Sequence, residues 1–143
     1  MTIDQAIAHL REVAEEVPEP AALPTEDAVA DMEEELGVKF HPDYRKFLLL
    51  ASDVAFGALE PATITDPDAH THLATIAEEA WDLEVPKKLL PICEDNGDYY
   101  CMDQKTGKIK FWSSDGASNE SWPSLAVWIE EVWIGENADE DES

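Results

Sequence analysis

Two histidines two residues apart, His70-Thr71-His72, would offer both imidazoles to one side of an extended strand, a spacing that zinc sites use. The stretch follows Asp66-Pro67-Asp68 and reads as a loop running into a helix, and no third ligand stands nearby, so no metal is assigned. Glu94-Asp95-Asn96-Gly97-Asp98 gathers carboxylates about a turn but lacks the alternating ligand order and the distal Glu of a calcium loop. Cys93 and Cys101 fall in strands, away from the helix starts where a thiolate would be stabilised. His9, His41, His70 and His72 are scattered, and no G-x-S-x-G, P-loop or G-x-G-x-x-G is present. The residue types of catalysis occur here without its spacing. No catalytic, cofactor-binding or metal-ligating residue is named, and the chain is expected not to be an enzyme.

Charge points elsewhere. The 143 residues carry 33 acidic and 9 basic side chains, a formal net charge of −24. Such a field repels phosphate backbones and anionic lipid, so neither nucleic acid nor membrane is an expected partner, whereas a basic protein would be drawn in quickly. The candidate contact residues are acids and aromatics. Glu33 and Glu34 belong to a Glu33-Glu34-Glu35 run near the end of a helix, where negative charge opposes the helix dipole. Glu94, Asp95 and Asp98 surround one turn, and Asp115 lies in a polar loop. Trp112 and Trp133 are the tryptophans that would serve as anchors ringed by acids, the composition of an interface hot spot.

The elements that position these residues begin with a hairpin. Asn96-Gly97 between Leu90–Glu94 and Tyr99–Asp103 is a strong two-residue turn signal, because both residues tolerate positive φ. A second turn at Gln104-Lys105-Thr106-Gly107 leads into Lys108–Trp112, completing a three-strand meander. In this pairing Cys93 sits opposite Tyr100, and a Cys93–Cys101 disulfide would need a bulge to shift the register. Both are read as buried thiols of a cytoplasmic protein. Ahead of the meander lie four helical segments. Ile3, Ile7, Leu10, Val13 and Val17 share one stripe, closed by Pro18-Glu19-Pro20. Thr25 caps a helix that reaches Leu36 and stops at Gly37. His41-Pro42 opens a helix apolar almost all round, expected to be central and buried, and a weaker helix runs from His70 to about Leu83. A short strand near Pro61 marks an edge, Ser113–Asn119 reads as loop, and Trp122-Pro123-Ser124 starts a last helix that Gly135 ends. No early apolar run follows a basic start, and no stretch of some 18 apolar residues exists, so neither signal peptide nor membrane span is expected. With 44% hydrophobic residues the chain has material for a single core.

Three stretches together resemble the SUKH superfamily. Glu33…Leu36-Gly37 with Phe40-His41-Pro42-Asp43-Tyr44-Arg45-Lys46-Phe47-Leu48 is similar to its opening "E-x-x-L-G-x-x-(L/F)-P-x-D-(Y/L)-(R/K)-x-F-L". Leu90-Pro91-Ile92-Cys93 through Gly97-Asp98-Tyr99-Tyr100-Cys101-Met102-Asp103 resembles its central hairpin, and Trp122 with Leu125-Ala126-Val127-Trp128-Ile129 its closing aromatic helix. Phe40-His41-Pro42 carries one residue more than many members, and Ala51–Gly57 stands where they have N-G-G. The resemblance covers about residues 21–134, which divides the chain into a helix and spacer over 1–20, a SUKH-like domain over 21–134, and an acidic, disordered tail over 135–143. It implies an α+β fold, a mostly antiparallel sheet with helices on one side, and no catalysis. It also implies a protein-binding role: an immunity protein that binds and neutralises a cognate toxin, a nuclease for instance, or alternatively a cytosolic regulatory or scaffold protein binding a resident partner.

Overall fold

A computed structural model describes residues 2–13, 23–52, 61–64, 68, 72–95, 98–113 and 116–135; the side chains of 95 and 116–119 are outside that description. The spacer, His70, Asn96-Gly97, Asp115 and the acidic tail therefore lie outside the described residues. The chain folds as α1 (Ile3–Val13), α2 (Glu26–Leu36), α3 (Pro42–Ala51), α4 (Leu73–Asp82), β1 (Leu89–Asp95), β2 (Asp98–Asp103), β3 (Ile109–Ser113), β4 (Gly116–Trp122) and α5 (Leu125–Trp128), which continues as a π-helical segment over Ile129–Ile134. This is an α+β fold, with an antiparallel sheet ordered β1-β2-β3-β4.

Local chemistry sets the helix ends. Thr25 Oγ1 accepts from Ala28 N–H at 3.1 Å, so a hydroxyl satisfies one of the free donors at the start of α2. Pro42 occupies the first turn of α3, and His41 Nδ1 accepts from Asp43 N–H at 3.1 Å. At the end of α4 Glu84 adopts φ 75, the left-handed position that helices usually give to glycine.

The first helix, set apart on sequence by a proline spacer, is part of the same core as the rest. Ala6 and Leu10 are fully buried, and α1 packs on α3, α5 and the π segment. Lys46 to Asp4 ties its outer face to α3, and His9 Nδ1 to the Glu130 carboxylate ties it to the π segment. Helix α3 departs from the expectation of complete burial. Tyr44, Phe47, Leu48 and Ala51 face the core, but Leu49 is half-buried and Leu50 is 47% exposed. Its apolar excess lies at the surface because, among the described residues, no element covers that side.

The sheet has one strand more than the expected meander. Ser113–Asn119 reads as loop by its polar composition, yet Gly116–Trp122 forms β4, pairing Ile109 with Trp122 and Ser113 with Gly116. An edge strand needs no apolar face of its own, so composition conceals it. On the far side of β1, Ala62 N–H donates to Ile92 O at 2.8 Å, placing Pro61 at the edge as its chemistry requires. Cys93 sits opposite Tyr100, and a bulge between Pro91 and Cys93 brings Pro91 opposite Cys101. Both cysteines are buried thiols, and they are not joined in a disulfide.

Replacing Glu84 by glycine removes the cost of a left-handed non-glycine residue at an exposed site. Glu84→Gly is expected to gain about 0.5–1 kcal/mol in urea unfolding; a lower midpoint would contradict the reading of this helix end.

Candidate functional site

Strand register sorts the candidate residues. Glu94 pairs with Tyr99 and Tyr99 with Trp112, so these three form one row across β1, β2 and β3 on one face of the sheet. The Tyr99 and Trp112 rings lie 6.0 Å apart, centroid to centroid. Tyr99 is buried while Trp112 is half-buried. Burial, and after it the carboxylates of Glu79 on α4 and Glu94, the Cys101 thiol and Asp98, raise the Tyr99 phenol above its ordinary range. The phenol therefore stays protonated at neutral pH, an aromatic body with a hydrogen-bond donor beside three carboxylates. Of this row Glu94 and Trp112 are only half-buried, and a carboxylate and a ring face there suit a cationic side chain.

The expected candidates divide accordingly. Glu94, Asp98 and Trp112 are brought together around Tyr99, and the Asp95 backbone lies beside them, opposite Asp98 at the hairpin end. Asp115 lies outside the described residues. Glu34 is exposed on α2, whose main contacts are with α3 and α4. Glu33 serves the fold: its Oε2 accepts from Phe40 N–H at 2.7 Å and its Oε1 from Arg45 Nη1 at 3.1 Å, joining α2 to the link before α3. Trp133 is not a surface anchor. It is 1% exposed, and its ring lies 6.1 Å from Phe47 and 6.3 Å from Trp128. Helical periodicity misplaces it because residues five apart lie about 140° apart around an α-helix. A π turn, closed by i→i+5 bonds such as Gly135 N–H to Glu130 O, brings Trp128 and Trp133 toward one side.

Sequence reasoning missed Tyr99 and Glu79. Tyr99 was read only as a strand residue, and Glu79 comes to the row through the packing of α4 on β1. Also unforeseen is the polarity of the sheet. The acids gather at the β1–β2 turn, while Lys87, Lys88, Lys105, Lys108 and Lys110 lie at or beside the other end, about 17 Å away along β1.

The two thiols take no part in the acidic row's surface. Burial pushes the Cys101 thiol up to about 12 and leaves it protonated at neutral pH. His72 is buried at the start of α4. Among the described residues no three His, Cys, Asp or Glu side chains converge as a metal set, and no helix is long and apolar enough to cross a membrane.

A family model described as SUKH_5, SMI1-KNR4 cell-wall, matches residues 3–134. Among solved structures, a protein from Pseudomonas syringae pv. tomato is 43% identical, with a TM-score of 0.86 over 92% of this chain and 98% of that one. No curated protein matches.

Two measurements separate core from surface. Trp133→Ala is expected to cost about 3–5 kcal/mol in urea unfolding and Trp112→Ala well under half of that; equal costs would contradict the assignment. An aromatic disulfide reagent is expected to leave both thiols untouched in the native protein and to modify both after unfolding, so fast native labelling would show an open path to them.

Proposed function

Because this chain belongs to the SUKH family whose model is described as SMI1-KNR4 cell-wall, we propose that it is a non-catalytic protein-binding module, an immunity protein that binds a cationic toxin domain in the cytoplasm and covers its active site. The observation that carries this reading is the row Glu94–Tyr99–Trp112, bordered by Glu79 and Asp98. It sets a half-buried tryptophan beside a buried tyrosine on which three carboxylates act. Fast capture and slow release then have separate origins. The −24 field steers a basic partner toward the molecule. Once contact is made, burial of the Trp112 ring against an arginine or lysine stem holds the complex, so Trp112 governs dissociation.

The family description, with its reference to the cell wall, favours a second reading in which the same surface binds a resident cytosolic protein and regulates it. Both readings use one surface and differ in the partner's nature.

Affinity capture of the tagged protein from its native cells at low and high salt, with the captured protein then expressed alone, tests the choice. The expected result is one basic partner, lost at high salt and toxic without this chain. Its association rate is expected to fall by roughly an order of magnitude from low to physiological salt, and Trp112→Ala to raise the dissociation rate while leaving association unchanged. A non-toxic resident partner would replace immunity with regulation. An association rate indifferent to salt would remove the electrostatic mechanism.

A further inference from the structure

At the end of the sheet opposite the acidic row, three connections line a half-open cavity of about 600 Å³: the α2–α3 link at Val38–Pro42, the α4–β1 link at Lys87-Lys88, and the β2–β3 turn at Asp103–Lys105. Val38, Phe40 and Pro42 give its lining an apolar part. Its rim carries four lysines, Lys39, Lys87, Lys88 and Lys105, out of only nine basic residues in the chain. The enclosure is held by the chain's own hydrogen bonds. His41 N–H donates to Gln104 Oε1 at 2.6 Å, Phe40 N–H to Glu33 Oε2 at 2.7 Å, and Trp81 Nε1–H to Leu89 O at 3.1 Å. Gly107, at φ 81, lies so close to the His41 imidazole that a Cβ there would fall 2.8 Å from Nε2. The β2–β3 turn is thus clamped against the start of α3.

Among the described residues these lysines meet few carboxylates. The chain has 33 carboxylates, yet among the described residues Lys39, Lys88 and Lys105 make no ion pair, and the Lys87 ammonium lies 5.4 Å from the centre of the Trp81 ring. Among the described residues Asp103 is the one carboxylate on the lining. Its Oδ1 accepts from Lys105 N–H at 2.9 Å and Thr106 N–H at 3.3 Å, and those bonds, with Lys88 and Lys110 nearby, hold it below the usual carboxylate range. Four ammoniums about one apolar hollow repel one another, and a bound anion would relieve that repulsion.

We propose that this cavity binds a small, multiply charged organic phosphate with a flat apolar body, a ligand of nucleotide size. The volume falls in the range of small-molecule sites. The rim is lysine without arginine, a set of point charges suited to phosphate oxygens more than to the planar fork that matches a carboxylate. The apolar wall would take the body of the ligand. A compact anion also fits the acidic molecule around it: held within the pocket it stays inside the lysines' field, whereas an acidic peptide would run out over surface of its own sign, beyond a Debye length of about 8 Å. This site is independent of the immunity reading and lies apart from the acidic row.

Titrating the isotope-labelled full chain with ATP, pyrophosphate, adenosine and a Glu-rich peptide, and following backbone amide resonances, tests the proposal. ATP is expected to shift amides of residues 38–42, 87–88 and 103–105 at micromolar to millimolar concentration, with pyrophosphate weaker and adenosine weakest. Lys88→Gln and Lys105→Gln, both at exposed positions, should each weaken ATP by roughly tenfold while the remaining resonances keep their places. Absence of shifts at millimolar ATP, shifts scattered outside the cavity, or an affinity unchanged in the double variant would overturn the site. Tighter binding of the Glu-rich peptide at the same amides would replace the phosphate with an acidic protein segment.

Discussion

A continuous string of aromatic contacts joins the helices to the sheet, and the arrangement of both depends on it. Phe40 meets Tyr44 edge-on at 5.3 Å, Tyr44 stacks on Phe47 at 6.4 Å, and Phe47 reaches Trp133 at 6.1 Å. Trp133 contacts Trp128 at 6.3 Å, and Trp128 contacts Tyr100 at 5.3 Å, which in turn touches Phe111 and Trp122. The string begins on the wall of the lysine-rimmed cavity and ends among β2, β3 and β4. Large rings in contact bury much area and favour tilted or edge-on geometries, so each fixes the orientation of the next. The π segment exists within this constraint: only the wider turn lets Trp128 and Trp133 join the string together. Close packing has a polar cost, since the Tyr44 hydroxyl and Trp128 Nε1 are buried with no hydrogen-bond partner among the described residues.

Much of this arrangement was legible in the residues. The strands that flank Asn96-Gly97 pair in the expected register, with Asp95 opposite Asp98 and Cys93 opposite Tyr100. Thr25, Gly37 and His41-Pro42 mark helix ends through local hydrogen bonding and φ preferences, which act within a few residues. What stayed hidden was set by distant partners. β4 has a polar sequence and is a strand because β3 offers it an edge. Leu50 looks like core and is exposed because, among the described residues, no element packs over its side of α3. Trp133 looks exposable under an α-helical period and is buried under a π one.

The surface followed the same division. Glu94, Asp98 and Trp112 were visible as acids and an aromatic flanking a meander, and strand pairing alone aligns Glu94 with Trp112 through Tyr99. The lysines were visible as residues but not as a group. Lys39, Lys87-Lys88 and Lys105 come from three separate connections, and nothing short of the folded chain brings those together.

Glu94 and Asp98 toward one end of the sheet, and Lys87, Lys88 and Lys105 around Asp103 at the other, give it two ends of unlike charge. The basic pole of one copy is complementary to the acidic pole of the next, a head-to-tail contact that uses two different surfaces and so extends as an open filament instead of closing into a pair. The overall charge of −24 stands against it, because each added copy is repelled as a whole while it is attracted at its tip. Net charge thus opposes the joining of copies, and added salt weakens that opposition together with the polar attraction.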